Sequence, residues 1–186
     1  NPSEKVFVID PCHFDVLPGS PYAYWVSKST IEIVGSHPSI EGGKVEIRVG
    51  LQTGEDFRHL RLLWEIPNKR IVLRAPQVNN RNLSIRQQCL DQLWNAGHWV
   101  PFSKTDIASP WFSPITLVVN WENNGHELKN FTDTKGKVRS RPQNEEFYFR
   151  PGFSYMLRST RLVPYLVPSG VMPTAGRAQI FPEQGE

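Results

Sequence analysis

The stretch Phe147-Tyr-Phe-Arg-Pro-Gly-Phe-Ser-Tyr-Met-Leu-Arg-Ser-Thr-Arg-Leu-Val-Pro-Tyr-Leu-Val167 decides the fold class. Its aromatic and branched residues fall into short runs, Phe147–Phe149, Phe153–Leu157 and Leu162–Val167, with Pro151-Gly152 and Ser159-Thr160 between them. Apolar runs of this kind, bounded by turn residues, read as strands. Gln179–Phe181 continues the pattern downstream. Upstream, Val45-Glu-Ile-Arg-Val49 alternates like a half-buried strand, and Leu117–Val119 reads as a buried one. Leu60–Ile66 and Ile71–Arg74 are further strand candidates around a Pro67-Asn68 turn, and Val6–Ile9 is a short one closed by Asp10-Pro11. Asn120–Phe131 fits a short helix less clearly.

Two helices are expected. Ser20-Pro21 offers a capping hydroxyl followed by proline at the first helical position, giving a helix through Tyr24, Trp25 and Ile31 to about Val34, ended by Gly35. Ser84 caps a second, Ile85 to Ala96, ended by Gly97. Trp25, Trp64, Trp94 and Trp121 sit in apolar runs and read as core. The expected fold is α+β: a strand-rich mixed sheet with two or three peripheral helices, in a single domain over residues 1–186. Strands and helices do not alternate regularly, which argues against a doubly wound sheet.

The composition suits a folded chain: 186 residues, 39% hydrophobic, six Trp, five Tyr and ten Phe. No apolar run is long enough to cross a bilayer as a helix. Two cysteines, Cys12 and Cys89, make no disulfide framework, so a reducing compartment is expected. The chain opens Asn1-Pro2-Ser3 without Met and closes just after a strand-like run, which reads as a piece excised from a longer protein.

Charge is unevenly spread. Residues 134–182 hold eight basic and two acidic residues, a net +6, whereas the rest of the chain is slightly acidic at −3. Six of the eight are Arg, whose planar fork suits phosphate oxygens and guanine edges. Interleaved with Phe147, Tyr148, Phe149, Phe153 and Tyr155, they make the kind of surface that nucleic acids meet, or else a solvated sheet face with ordinary core aromatics.

Catalytic patterns are scarce. A DNA amino-methyltransferase needs an Asn/Asp-Pro-Pro-aromatic loop, and the sequence has no Pro-Pro pair. Gly42-Gly43 and Gly50-Leu-Gln-Thr-Gly54 lack the spacing of a nucleotide-binding loop. There is no phosphate-loop Gly-Lys-Ser/Thr and no Gly-x-Ser-x-Gly elbow. Cys12-His13 has no second ligand pair for zinc. No catalytic, metal or cofactor residue is therefore assigned. One rival pattern is Glu127-Leu-Lys129, which with an upstream Asp106 would bind Mg²⁺ in a nuclease.

Several strings, taken in order, are more specific. They are Leu17-Pro-Gly-Ser-Pro-Tyr-Ala-Tyr-Trp25, Val49-Gly-Leu-Gln-Thr-Gly-Glu-Asp-Phe-Arg58, Trp99-Val-Pro-Phe-Ser-Lys104, Leu117-Val-Val-Asn-Trp-Glu-Asn-Asn-Gly125, Ser140-Arg-Pro-Gln-Asn144 and Tyr148-Phe-Arg-Pro-Gly152. Over residues 17–181 the chain resembles the TaqI-type C-terminal specificity region of large bacterial adenine-specific DNA methyltransferases, of the phage-exclusion and type IIG restriction–modification kinds. After Phe102-Ser-Lys104 that family has a glycine pair where this chain has Thr105-Asp106. The resemblance implies a target-recognition region that does no chemistry itself. It faces the catalytic domain of the same chain across double-stranded DNA, and S-adenosylmethionine is bound elsewhere in the parent.

Phosphate contacts would set register and base contacts sequence. Lys137, Arg139 and Arg141 lie in a polar loop suited to phosphates, or to solvating a turn. Gln143 and Asn144 carry amides that pair with adenine, or form a turn. Arg150 precedes Pro151-Gly152, which aims it outward or toward Glu145 or Glu146. Arg158 and Arg161 flank a hairpin tip, and Arg177 closes the basic segment. Gln52 and Thr53 lie between Gly50 and Gly54, where a backbone approaches DNA closely or simply turns. A protein-interaction module with a basic docking face is the remaining alternative.

Overall fold

A computed structural model describes residues 8, 10–40, 45–73, 98–104, 111–159 and 161–182. The chain divides into two compact units, Asn1–Lys44 and Val45–Glu186.

In the first unit, Asp10 caps a 3-10 turn over Pro11–Phe14 by accepting from Cys12 N at 3.0 Å. Helix α1 spans Lys28–Ser36. It starts seven residues later than Ser20-Pro21 suggests, because Ser27 is the cap: its Oγ accepts from Thr30 N at 3.2 Å. Ser20 instead adopts a left-handed φ of 45° in a turn. Gly35 lies inside α1 rather than ending it; a Cβ there would come within 2.7 Å of Val16 Cγ1. The helix ends where Ser36 Oγ donates to Ile33 O, with His37 Nδ1 2.9 Å from the same carbonyl.

The second unit is α+β and strand-rich. Its described strands fall into two antiparallel sheets rather than one. The first has β1 (Val45–Val49), β5 (Gly152–Met156), β6 (Tyr165–Val167) and β7 (Arg177–Pro182), in the order β1-β7-β5-β6. Strand β7 is central and mostly buried, and Pro182, which lacks an N–H for the ladder, is its last residue. The second sheet has β2 (Leu60–Leu62), β3 (Trp99–Phe102) and β4 (Leu117–Asn120), with β4 in the middle. Its Pro101 is on an edge strand, where proline is tolerated. Helix α2 is the single turn Asp56–His59, and α3 is Glu122–Lys129.

Residues 172–175 join the two sheets. Met172 N donates to Pro101 O at 2.8 Å and Ser103 N to Met172 O at 3.0 Å. On the other side Leu51 N donates to Pro173 O at 2.8 Å and Ala175 N to Leu51 O at 2.9 Å. The core forms around this seam: Leu51, Phe102, Met172, Val100, Val119, Trp121, Leu128, Tyr148 and Phe149 are all buried in one cluster. Trp121 is 1% exposed, as its apolar run suggests, but Trp25 and Trp64 are 69% and 70% exposed. Trp94, Asp106 and the Ile85–Ala96 helix lie outside the described residues.

Other departures have local causes. Leu60–Ile66 is a strand only to Leu62; Leu63–Glu65 is a 3-10 turn held by Leu62 N donating to Glu65 Oε2 at 2.8 Å. Leu162–Val167 is a strand only from Tyr165, after Pro164. Phe147–Phe149 is no strand. A strand would send neighbouring side chains to opposite faces, yet all three rings are at most 4% exposed. The chain achieves this with a 3-10 turn at Glu145–Phe147 and a left-handed Phe149, φ 67°.

Gly50 is where a side chain is least tolerable: a Cβ would lie 2.0 Å from Pro173 O. At Gly136 it would meet nothing within 4 Å, though φ is +77°. Gly50→Ala should destabilise the protein by about 3 kcal/mol. Gly136→Ala should cost only about 1 kcal/mol, from backbone conformation alone. Urea-unfolding midpoints at constant m-value check both.

Candidate nucleic-acid interface

The basic turn is built by Asp133. Its Oδ1 accepts from Lys135 N and Lys137 N, both at 2.9 Å, and Gly136 supplies the left-handed position. Thr132 and Val138 bridge the base of the turn, and Arg139 N donates to Phe131 O at 2.9 Å. Lys135, Lys137, Arg139 and Arg141 are all exposed.

This turn is fastened to the Gly50–Gly54 loop. Gln52 and Arg141 exchange backbone bonds of 3.1 and 2.8 Å. Gly54, at φ +75°, lies so close to the Arg139–Ser140 backbone that a Cβ would sit 2.7 Å from Arg139 C. Two distant candidate segments thus become neighbours, with the Gln52 side chain exposed. The close approaches that these two glycines permit are made to the protein's own chain.

The other candidates divide by role. Thr53 is buried and its hydroxyl donates to Asp56 Oδ1 at 2.5 Å. Asn144, left-handed at φ 52°, donates through Nδ2 to Val49 O at 2.9 Å, so its amide ties down the end of β1. Gln143 is half-buried, and its N–H donates to Tyr148 Oη at 3.2 Å. Arg150 lies over Phe147 and Phe181, 4.9 and 5.5 Å from the ring centroids, and Arg48 lies 5.5 Å from the Phe147 centroid. Arg158 and Arg161 are exposed on the β5–β6 connection, as the hairpin reading expects. Arg177 is only 6% exposed and lies 5.3 Å from the Tyr165 ring centroid.

Gln52, Thr53 and Arg177 meet in a cleft of about 190 Å³, together with Lys104, Met156 and Thr174. Lys104 has no place among the sequence candidates. It forms an ion pair with Asp56, which also borders a groove of about 640 Å³ lined by Phe57, Leu60, Arg61 and Leu62. Burial alone would raise the Asp56 carboxyl, but hydrogen bonds from Lys104 and Thr53 outweigh it and hold the group below its ordinary value. Burial lowers His59, whose ring meets Phe131 edge-on at 5.0 Å.

The Glu127/Lys129 pair lies on α3. Glu127 Oε1 accepts from Arg58 Nε at 2.9 Å, and Lys129 Nζ donates to Glu145 Oε2 at 2.9 Å, so each side chain has a different partner. Among the described residues no three His, Cys, Asp or Glu side chains gather as a metal site. No described helix is long and apolar enough to cross a membrane.

No family profile matches the chain. It is 26% identical over 144 residues to adenine-specific methyltransferase PglX of Lacticaseibacillus casei (strain Zhang), covering 77% of this chain and 11% of that protein. It is 24% identical over 175 residues to adenine-specific methyltransferase BrxX of Escherichia coli O9:H4 (strain HS), covering 93% and 12%. The chain is therefore related to adenine-specific methyltransferases, and spans only those small fractions of the curated relatives it matches.

The Asp56 pair predicts a pH dependence. A carboxyl depressed in the fold adds stability that is complete above its unfolded value of about 4 and is lost as pH falls through the folded value. Asp56→Asn should therefore be the less stable protein at pH 7, and its deficit should shrink as pH falls below about 4. Urea titrations at pH 7 and through the acid range check this.

Proposed function

We propose that the chain is the DNA target-recognition portion of an adenine-N6 DNA methyltransferase, of the phage-exclusion or type IIG kind, and does no chemistry by itself. The observation that carries this reading is the joining of Gln52 to Arg141, which sets an exposed amide beside an exposed guanidinium on the turn that also carries the exposed Lys137 and Arg139. Kinship to adenine-specific methyltransferases over most of the chain supplies the context. In this reading the cations at the turn contact phosphates. Arg158 and Arg161, on the β5–β6 connection, enter a groove with Gln52 and Gln143 as base readers. Arg150 and Arg177, stacked on rings, support the surface, and Asn144 and Thr53 shape it. The methyl donor and the flipped adenine belong to a catalytic domain elsewhere in the parent, and the enzyme works in the bacterial cytoplasm on double-stranded DNA.

The chain should bind duplex DNA weakly, at about 10⁻⁴–10⁻⁶ M, with steep salt dependence. Arg139→Ala and Arg141→Ala should weaken binding to all sequences alike and flatten the salt slope. In the full-length enzyme, Arg158→Ala or Arg161→Ala should instead cost about 1–3 kcal/mol at one base pair of the target. Calorimetry should detect no S-adenosylmethionine binding by the chain alone; stoichiometric binding would overturn the assignment. Fluorescence anisotropy of labelled duplexes between 50 and 200 mM salt, the range where phosphate contacts dominate, measures the DNA arm. An Arg141→Ala protein that binds DNA like the unsubstituted chain would place the interface elsewhere.

A further inference from the structure

A cation from outside residues 134–182 meets one from inside them at a single aromatic ring. The Arg58 guanidinium lies 5.0 Å and the Arg139 guanidinium 5.9 Å from the centroid of Phe131. The ring is fixed in turn by the buried His59 edge at 5.0 Å, and by the Arg139 N bond to Phe131 O. Arg58 belongs to α2, four residues after Gly54, whose backbone lies against Arg139. Three segments thus converge to hold two cations against the same ring.

A carboxylate also competes for this pair. Glu127 Oε1 accepts from Arg58 Nε at 2.9 Å, and both side chains are 51% exposed. A guanidinium has five N–H donors, and this contact uses one. An exposed ion pair of this type adds little to stability, so a phosphate can readily displace the carboxylate.

We propose that Arg58, Phe131 and Arg139 form a phosphodiester-binding shelf, and that Glu127 occupies Arg58 until the DNA backbone replaces it. The proposal rests on the DNA-binding reading above and adds to it a phosphate contact from outside the basic segment, together with a built-in competitor. Phe131 is a positioning residue: stacking on it holds each guanidinium in place, which lowers the ordering cost on binding.

The test is a double-mutant cycle on the full chain, measured by fluorescence anisotropy with a labelled duplex across a salt series. Arg58→Ala should weaken binding several-fold and reduce the log–log salt slope by about 0.9. Glu127→Gln should tighten binding several-fold. In the Arg58→Ala background, Glu127→Gln should have little effect, because its action runs through Arg58. Phe131→Leu, which keeps both charges, should weaken binding as well. If Glu127→Gln tightens binding equally with and without Arg58, Glu127 is a general repulsive charge and the competitor role is overturned. If Arg141→Ala weakens binding while Arg58→Ala does not, the shelf is wrong and the DNA-binding reading survives. If neither weakens it, both fail.

Discussion

The second unit depends on the laying of the Gly50-Leu51 backbone against Pro173-Thr174-Ala175. Three N–H groups bond across that seam, from Gly50, Leu51 and Ala175. The neighbouring Met172 bonds to the end of β3. One stretch therefore connects the β1-β7-β5-β6 sheet with the β2-β4-β3 sheet. Leu51 and Met172, both fully buried, carry backbone pairing and core packing at the same positions. Losing the register would leave buried amides unpaired and open the core, so the two penalties reinforce each other. The approach is possible only because residue 50 has no side chain. The loop that leaves this seam has little freedom, and it delivers Gln52 to Arg141 and Gly54 to Arg139. A rigid seam behind a surface loop is what a recognition surface requires, since ordering costs subtract directly from affinity.

The parts of the fold legible in the sequence are those governed by local rules. Val45–Val49, Leu117–Asn120 and the β5 run around Phe153 are strands because branched and aromatic residues alternate or cluster between turn residues. The helix over 122–129 is present, but Asn123, Asn124 and Gly125 within it are left-handed. Trp121 explains this: its ring would lie 2.5 Å from a Cβ at residue 125, so the Asn-Asn-Gly turn wraps a buried indole. Nothing local in the sequence reports that constraint. Phe147–Phe149 fails as a strand for a related reason, because burial of three successive rings overrides alternation. The start of α1 goes to Ser27 rather than Ser20, since two serines offer the same cap and the choice between them is not written locally. Trp25 and Trp64 show that an apolar run does not by itself place its largest member in the core.

Less of the candidate interface was legible. The charge asymmetry along the chain is real, yet it groups residues by position in sequence rather than by surface. It includes Arg177, which is buried against Tyr165, and omits Lys104 and Arg58, which the fold sets beside Thr53 and Arg139. It gives no hint that Asn144 is committed to Val49 O. The available signals were the strings themselves: Lys104 ends one and Arg58 ends another. Lys104 follows the buried strand β3, where a side chain leaves the core for the surface, whereas Arg58 lies within α2 and carries no such local signal.

The aromatic residues in and next to the basic segment then take on a role that composition alone does not reveal. Phe147 carries Arg48 and Arg150, Phe131 carries Arg58 and Arg139, and Tyr165 carries Arg177. In each case the ring is part of the packed structure and the cation lies on it. An unsupported Arg surrenders about 2 kcal/mol of side-chain entropy when a ligand fixes it. A stacked one has surrendered part of that during folding. Lys135 and Lys137, exposed at the turn, would in the proposed reading contribute mainly long-range attraction. That reading divides cations that would draw a polyanion in from exposed cations already held on a ring, such as Arg58 and Arg139, that would position it. In this chain the second set is distributed over strands and helices far apart in sequence, so it exists only once the fold has formed.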